Sequence, residues 1–101
     1  MVIYNVTIKV AWQIADEWLQ WMQQTHMPGM MASGCFVSHQ LVRLLDIDEA
    51  EGPTYAAQFT AHSKQQIDDY LEQYSPTLRQ QGYDKWGDQF IAYRTIMQVV
   101  Q

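Results

Sequence analysis

The sequence predicts an α+β fold, a four-stranded antiparallel sheet with two helices on one face. Apolar residues recur at every second position in residues 2–10 and 54–61, which is the period of a half-buried strand. They recur at every third or fourth position in residues 11–26 and 63–78, the period of an amphipathic helix. With a further β-rich segment after each helix, the order is strand, helix, strand, strand, helix, strand. This order is the ferredoxin-like βαββαβ pattern.

The first helix is predicted to end near His26. Asp16 and Glu17 lie in its early part, where a helix N-terminus favours negative charge. Pro28 disfavours helical geometry at the residue before it, and Gly29 follows. The pattern therefore places His26 in the last helical turn.

The two middle strands are joined by an acidic turn. Residues 35–47 are apolar on both faces, which predicts a strand that is covered on both sides or contains a bulge. Residues 48–53 are acidic and rich in turn formers, so they predict a hairpin loop before the returning strand.

The second helix begins with a capping signal. Ser63 is followed three residues later by Gln66, which is the spacing of a capping box. Gly82 is predicted to cap the C-terminal end, and residues 83–89 to form a short connector that is helical or irregular. Residues 90–100 are then the final strand.

Composition limits the class of protein. The chain has 101 residues, which predicts a single domain over 1–101. Its net charge is -5, which argues against binding to nucleic acid or to an anionic membrane. Because there is one cysteine, no intramolecular disulfide can form. No apolar run approaches the roughly 20 residues of a membrane span, and the strand-like N-terminus does not resemble a secretory signal, so we expect a cytoplasmic protein.

The second face of the sheet predicts self-association. Helices on one side leave the other side open, and a large exposed apolar patch usually marks an interface. We therefore expect a homodimer in which two sheets pack face to face. The alternative is a monomer whose sheet is covered by the acidic hairpin and the C-terminal residues. The candidates for this face are Ile3, Leu41 or Val42, and either Ile91, Tyr93 and Met97 or Phe90, Ile96 and Val100.

Seven segments along the chain carry a family resemblance. They are MVIYNVTIKV, EWLQWM, His26 with Pro28, Gly34 with Phe36, TYAAQF, YLEQYSPTLRQQG and FIAYRTIMQVV. Together they resemble DUF4286, a family of uncharacterised bacterial proteins. The resemblance implies a fold similar to the dimeric α/β-barrel group, and hence a homodimer of ferredoxin-like subunits. That group includes cofactor-independent monooxygenases, isomerases, haem-binding enzymes and domains without known chemistry, so the activity stays open.

His26 is the candidate catalytic residue. A helix C-terminus favours a protonated histidine, and a histidine that titrates near pH 7 can transfer a proton. In the alternative interpretation, its ring caps the last helical carbonyls and needs no ligand.

The sequence predicts no cofactor and no metal site. His26, His39 and His62 have neither HxH nor HxxxH spacing, and Cys35 is alone. The wider fold group admits a haem held by one axial histidine, but the chain has no local haem signature.

Arg79 and Arg94 are candidate ligand-binding residues. Arg94 lies in an apolar strand, where a charge is costly unless it is paired. It therefore forms an ion pair with an acid such as Asp84 or Asp88, or it clamps a carboxylate or phosphate in a pocket. The same two interpretations apply to Arg79.

Aromatic residues could line a pocket between the first helix and the sheet. Trp18, Trp21 and Tyr55 are the candidates, with Trp12 beside them and several methionines as soft walls. The alternative is that these residues are simply the core. The segment 27–31 could be a lid or a dimer contact.

Two functions from different classes follow. The first is a homodimeric domain that binds a small apolar or aromatic molecule, or that serves in protein interactions. The second is a small-molecule enzyme, a cofactor-independent monooxygenase or isomerase, in which His26 transfers a proton and Arg79 holds an anionic group. A cavity that brings His26 and Arg79 together would favour the second, and a solid core there would exclude it.

Overall fold

The computed structural model describes residues 1–101 and has the expected ferredoxin-like topology. The strands β1 (Val2–Val10), β2 (Ser38–Arg43), β3 (Thr54–Ala61) and β4 (Phe90–Gln98) form one antiparallel sheet in the order β2-β3-β1-β4. The first helical unit comprises a 3-10 turn (Trp12–Ile14), α1 (Ala15–Trp21), a π-helical turn (Met22–His26) and α2 (Met27–Met31). The second unit comprises α3 (Lys64–Gln73) and α4 (Ser75–Trp86). No helix is long and apolar enough to cross a bilayer.

The strand register sorts the residues between the two faces of the sheet. Val6 of β1 lies opposite Ala57 of β3 and Arg94 of β4, and Tyr4 lies opposite Phe59. Because side chains alternate along a strand, these residues share the face that the helices cover. The core is built there, around rings such as Tyr4 and Phe59, both almost fully buried.

The opposite face of the sheet is uncovered. On β4 it carries Ile91, Tyr93 and Met97, and Tyr93 is 67% exposed. The sequence left open which set of alternate β4 residues faces away from the helices. The register shows that it is the set with Ile91, because Phe90 and Ile96 lie on the helix side. The β2 strand is shorter than expected and ends at Arg43.

The first helical unit does not end at His26, which corrects the sequence-based expectation. The Met27 N–H donates to the Met22 carbonyl, five residues back, so the chain passes through a π turn and continues to Met31. Pro28 lies in the first turn of α2, where its missing N–H is tolerated. The extra residue in the π turn shifts the backbone hydrogen-bond pattern, so the helix continues through Pro28 instead of ending before it.

Gly82 is not a helix cap, and residues 83–86 are helical because they continue α4. Gly82 is buried inside α4, and a Cβ built on it would lie 3.7 Å from Cη2 of Trp21. The helix ends instead at Gly87, which has a φ of 62° and donates its N–H to the Tyr83 carbonyl at 2.9 Å. Only glycine adopts that backbone conformation readily.

The start of α3 follows the capping signal. The Ser63 Oγ accepts the Gln66 N–H at 3.4 Å. The Gln66 side chain reaches back to accept the His62 N–H at 3.1 Å. The two bonds satisfy donors that would otherwise be free at the helix N-terminus.

Candidate functional site

A cavity of about 60 Å³ lies between the helices and the sheet. Its floor includes the paired residues Val6 and Ala57, and Ala92 of β4, which lies opposite Ile8; Gly82 of α4 also borders it. These side chains are small, whereas tryptophan and tyrosine rings surround them. The core is otherwise close-packed, and the cavity remains because the small side chains of the floor do not fill the space between the surrounding rings.

The cavity brings together His26, Arg79 and Arg94. His26 comes from the π turn, Arg79 from α4 and Arg94 from β4, and all three are among its 20 lining residues. None of the lining residues is Asp or Glu. The cavity wall therefore carries positive charge and no carboxylate.

Neither arginine of the cavity is paired with an acid of the chain. The ion pairs are Lys9 with Glu51 at 3.6 Å, Arg43 with Glu49 at 2.8 Å and Lys64 with Asp68 at 3.0 Å. The expected pairing of Arg94 with Asp84 or Asp88 is absent within the chain. The register explains this, because Arg94 points toward the helix layer at the level of Val6, whereas Asp84 lies on the exposed side of α4 and accepts a bond from Gln80.

Unpaired polar atoms concentrate around this cavity. Five buried side-chain nitrogen or oxygen atoms of the chain have no hydrogen-bond partner. Four of them belong to cavity residues: His26 Nδ1, Ser75 Oγ, Trp86 Nε1 and Arg94 Nε. Buried polar atoms are nearly always hydrogen-bonded, because leaving one unpaired costs about 1–3 kcal/mol. Their clustering marks a place where partners from outside the chain would stabilise the protein.

The His26 ring is buried and neutral. It stacks on Trp21 with the ring centres 4.5 Å apart and the planes 20° from parallel. Burial, and secondarily the charge of Arg94, lower the pKa of His26 from 6.5 to about 4. The ring is therefore unprotonated at pH 7, contrary to the expectation of a protonated histidine at a helix end. It caps no carbonyl, because the helix continues past it.

Tyr70 adds a phenol to the same cavity. Its ring is buried 5.7 Å from that of Tyr4, and burial, with a smaller effect of Tyr4, raises its pKa well above the ordinary value. Arg94 and Arg79 act in the opposite direction but do not offset the burial. Tyr70 therefore stays a neutral phenol that can donate a hydrogen bond.

The mouth of the cavity lies toward the β4 edge of the sheet. Arg79 and Tyr83 of α4 line the cavity and are exposed to solvent. Tyr83 stacks on Phe90, the first residue of β4, with 5.4 Å between the ring centres. These side chains can turn outward without disturbing the core, since rotamer changes of exposed side chains are fast.

Two of the three predicted aromatic binding residues line the cavity. Trp18 and Trp21 do, but Tyr55 does not: it packs against Trp18 at 5.3 Å, to one side. Trp12 is 50% exposed and donates its indole N–H to the Glu49 carbonyl at 2.8 Å. The predicted lid at 27–31 is α2, which buries Met27 and Met30 in the core. His39 and His62 are exposed.

Several cavity residues had no sequence signal. Tyr70 has the spacing of an ordinary core position, and Ser75 precedes a proline, which by itself indicates only a local helix boundary. Trp86 lay in the supposed connector, so its position on α4 became visible only in the fold. Ala92 carries no chemical functionality, yet its small size helps to leave the space.

Comparison with known proteins identifies the family. The model of a domain of unknown function, DUF4286, matches residues 1–100. The chain belongs to the DUF4286 family. No curated protein matches the sequence.

Solved structures share the fold of this DUF4286 protein. The haem degrader MhuD from Mycobacterium tuberculosis, with two haems bound, has a TM-score of 0.68 at 16% identity, over 100% of this chain and 97% of that one. A dimeric ferredoxin-like protein from an uncultured marine organism has a TM-score of 0.70 at 11% identity, over 100% and 96%. SnoaB, a cofactor-independent oxygenase from Streptomyces nogalater, has a TM-score of 0.63 at 16% identity, over 99% and 94%. At these identities, the likeness establishes the fold alone.

A haem does not fit the DUF4286 cavity. Pockets for drug-sized molecules measure roughly 300–1,000 Å³, and this cavity measures about 60 Å³. The structure therefore supports a smaller occupant than a porphyrin.

The burial of His26 predicts a pH-dependent stability. The unfolded chain binds a proton near pH 6.5 and the folded chain only near pH 4, so the free energy of unfolding falls as the pH falls between these values. Between pH 7.5 and pH 5, protonation of His26 in the unfolded chain should lower the free energy of unfolding by roughly 2 kcal/mol. Urea unfolding at the two pH values measures it. His26→Gln should lose this part of the dependence, whereas His62→Gln, at an exposed position, should keep it. Equal pH dependences in wild type and His26→Gln would contradict a buried neutral ring.

Proposed function

We propose that this DUF4286 protein is a homodimeric domain that binds a small aromatic or largely apolar molecule in the cavity between helices and sheet. The observation that carries the proposal is the clustering of unpaired polar atoms around one apolar cavity. Ligand sites have this composition, because apolar walls supply binding energy and a few polar groups fix the orientation. In a mere packing defect, the lining would be apolar and no buried donor would lack a partner.

The size of the cavity limits the ligand. An empty apolar cavity of about 150 Å³ can bind benzene, and this one measures about 60 Å³. A ligand with one aromatic ring therefore needs extra room, which outward rotation of Tyr83 and Arg79 at the mouth provides. Ring-shaped ligands also match the aromatic lining, which includes Trp21 and Trp86, two rings that contact each other edge-on with their centres 5.9 Å apart.

The four tryptophans allow a direct test of this binding. With ¹⁵N-labelled protein, millimolar benzyl alcohol or benzoate should shift the indole N–H signals of Trp21 and Trp86. The signal of Trp12 should stay fixed, because this indole is hydrogen-bonded to Glu49 far from the cavity. Ala92→Leu fills the cavity and should abolish the shifts, whereas Thr95→Leu, on the opposite face of β4, should not. Unchanged Trp21 and Trp86 signals with both probes would overturn the proposal.

The homodimer rests on the uncovered sheet face. Ile91 and Tyr93 are 56% and 67% exposed and lie beside Met97 on the same face of β4. Ile3 of β1 and Val42 of β2 extend this apolar surface across the sheet. One structure of the same fold is that of a dimeric ferredoxin-like protein. Pairing two such faces about a two-fold axis removes the exposed apolar surface of both chains.

Light scattering after size exclusion measures the assembly. We expect the mass of a dimer for the wild type and of a monomer for Tyr93→Lys, which places a charge in the paired sheets. Leu45→Lys is the control: Leu45 is 76% exposed, in the hairpin loop outside the sheet. A wild-type monomer at micromolar concentration would refute the dimer without affecting the cavity.

The second candidate function is proton transfer by His26. The observation that favours it is an unprotonated, buried imidazole beside two arginines. Such a ring can accept a proton from a carbon next to a carbonyl, and the arginines can stabilise the enolate oxygen that results. In an isomerase the imidazolium returns the proton to a different carbon of the substrate. In an oxygenase the enolate reacts with O₂ as the co-substrate.

Hydrogen exchange tests this candidate without knowledge of the natural substrate. Phenylacetone in D₂O should lose its benzylic protons faster with wild-type protein than with His26→Gln, as measured by NMR. His62→Gln should match the wild type. Exchange rates equal to those of buffer alone would eliminate His26 as a general base for one-ring ketones and would leave the binding function in place.

A further inference from the structure

The basic residues of the chain divide into two groups. The protein has 6 Lys and Arg against 11 Asp and Glu, so every cation could have a carboxylate partner. Lys9, Arg43 and Lys64 have one, and all three lie away from the cavity. The other three lie at the cavity or beside it: Arg79 and Arg94 line it, and Lys85 is 5.1 Å from the ring centre of Trp86, a lining residue.

Arg94 is the most costly of these charges. It lies in the middle of β4 on the helix-covered face, and its Nε is buried without a hydrogen-bond partner. The residue is half-buried, and a buried N–H that is left unpaired destabilises the folded state, because it gives up its hydrogen bond to water without gaining another. A chain with an excess of carboxylates nevertheless places none beside it.

Three of the four unpaired atoms at the cavity can donate, and the fourth, Nδ1 of the neutral His26 ring, donates or accepts according to its tautomer. The Trp86 Nε1 and the Arg94 Nε can only donate a hydrogen bond, and the Ser75 hydroxyl can donate one. Ser75 is 2% exposed and lies in the first turn of the 12-residue helix α4. The group that complements these donors must therefore be rich in acceptor oxygens.

The geometry points to an aromatic carboxylate as the occupant of the cavity, with its carboxylate against Arg94 and its ring among the tryptophans. This inference deepens the proposed binding function and rests on it. A carboxylate is planar and accepts two parallel hydrogen bonds from one guanidinium, which suits the donor fork of Arg94 at the cavity wall. A phosphate is tetrahedral and bulkier, and it fits a cavity of this size less well.

A matched pair of probes separates the charge from the ring. Benzoate and benzyl alcohol have nearly the same size, and only benzoate is charged at pH 7. Dissociation constants from the shifts of the Trp86 indole signal should show benzoate binding at least ten-fold more tightly. Arg94→Met should bring this ratio close to one while benzyl alcohol still binds. Arg43→Met, at an arginine paired with Glu49 on the surface, should keep the wild-type ratio.

The outcomes separate the two proposals. If both probes bind equally well to the wild type, the carboxylate inference is wrong and the binding function stands. If neither probe shifts Trp86, both fail. The wild-type ratio needs no variant, so the test holds even if a substitution impairs folding. Arg94→Met should also raise the urea midpoint of the ligand-free protein, because it removes a half-buried guanidinium whose Nε–H has no partner, and a lower midpoint would mean that Arg94 has a structural partner.

Discussion

The site depends on the packing of Trp21 between the two helical units. This ring stacks on His26 from its own unit, meets Trp86 of the second unit edge-on at 5.9 Å, and lies against Gly82 of the same helix. Because Gly82 has no side chain, α4 can approach the indole closely. The contact fixes the distance between the helical units and thereby the height of the cavity above the sheet.

The π turn is the second constraint on the geometry. It lets the chain pass Pro28 without ending the helix, so that α2 can bury Met27 and Met30. The same turn sets His26 in the helix interior rather than at its end, where its ring packs on Trp21. Single π turns in α-helices are rare and are frequent at functional sites. Here the backbone irregularity and the unpaired imidazole occur at the same residue.

The cavity lowers the stability of the protein. The small residues of the floor make fewer van der Waals contacts than larger residues would, and the unpaired donors have lost their hydrogen bonds to water. Proteins retain such local costs mainly where a ligand or a reaction requires them. With the haem degrader and the cofactor-independent oxygenase this chain shares the fold alone, so the cavity is argued from its own residues.

The sequence by itself determined the order of the elements, the bounds of β1 and β3, and the cap at Ser63, because periodicity and capping are local properties. It also singled out His26, Arg79, Trp18 and Trp21, which the fold brings to one cavity. Only the tertiary structure decided that the helix continues past Pro28, that Gly82 lies inside α4, and that Arg94 has no acid beside it. The tertiary structure also decided that the site includes Tyr70, Ser75 and Trp86. Strand register and helix packing bring residues from distant segments to a common space. Neither is encoded in the spacing of residues along one segment.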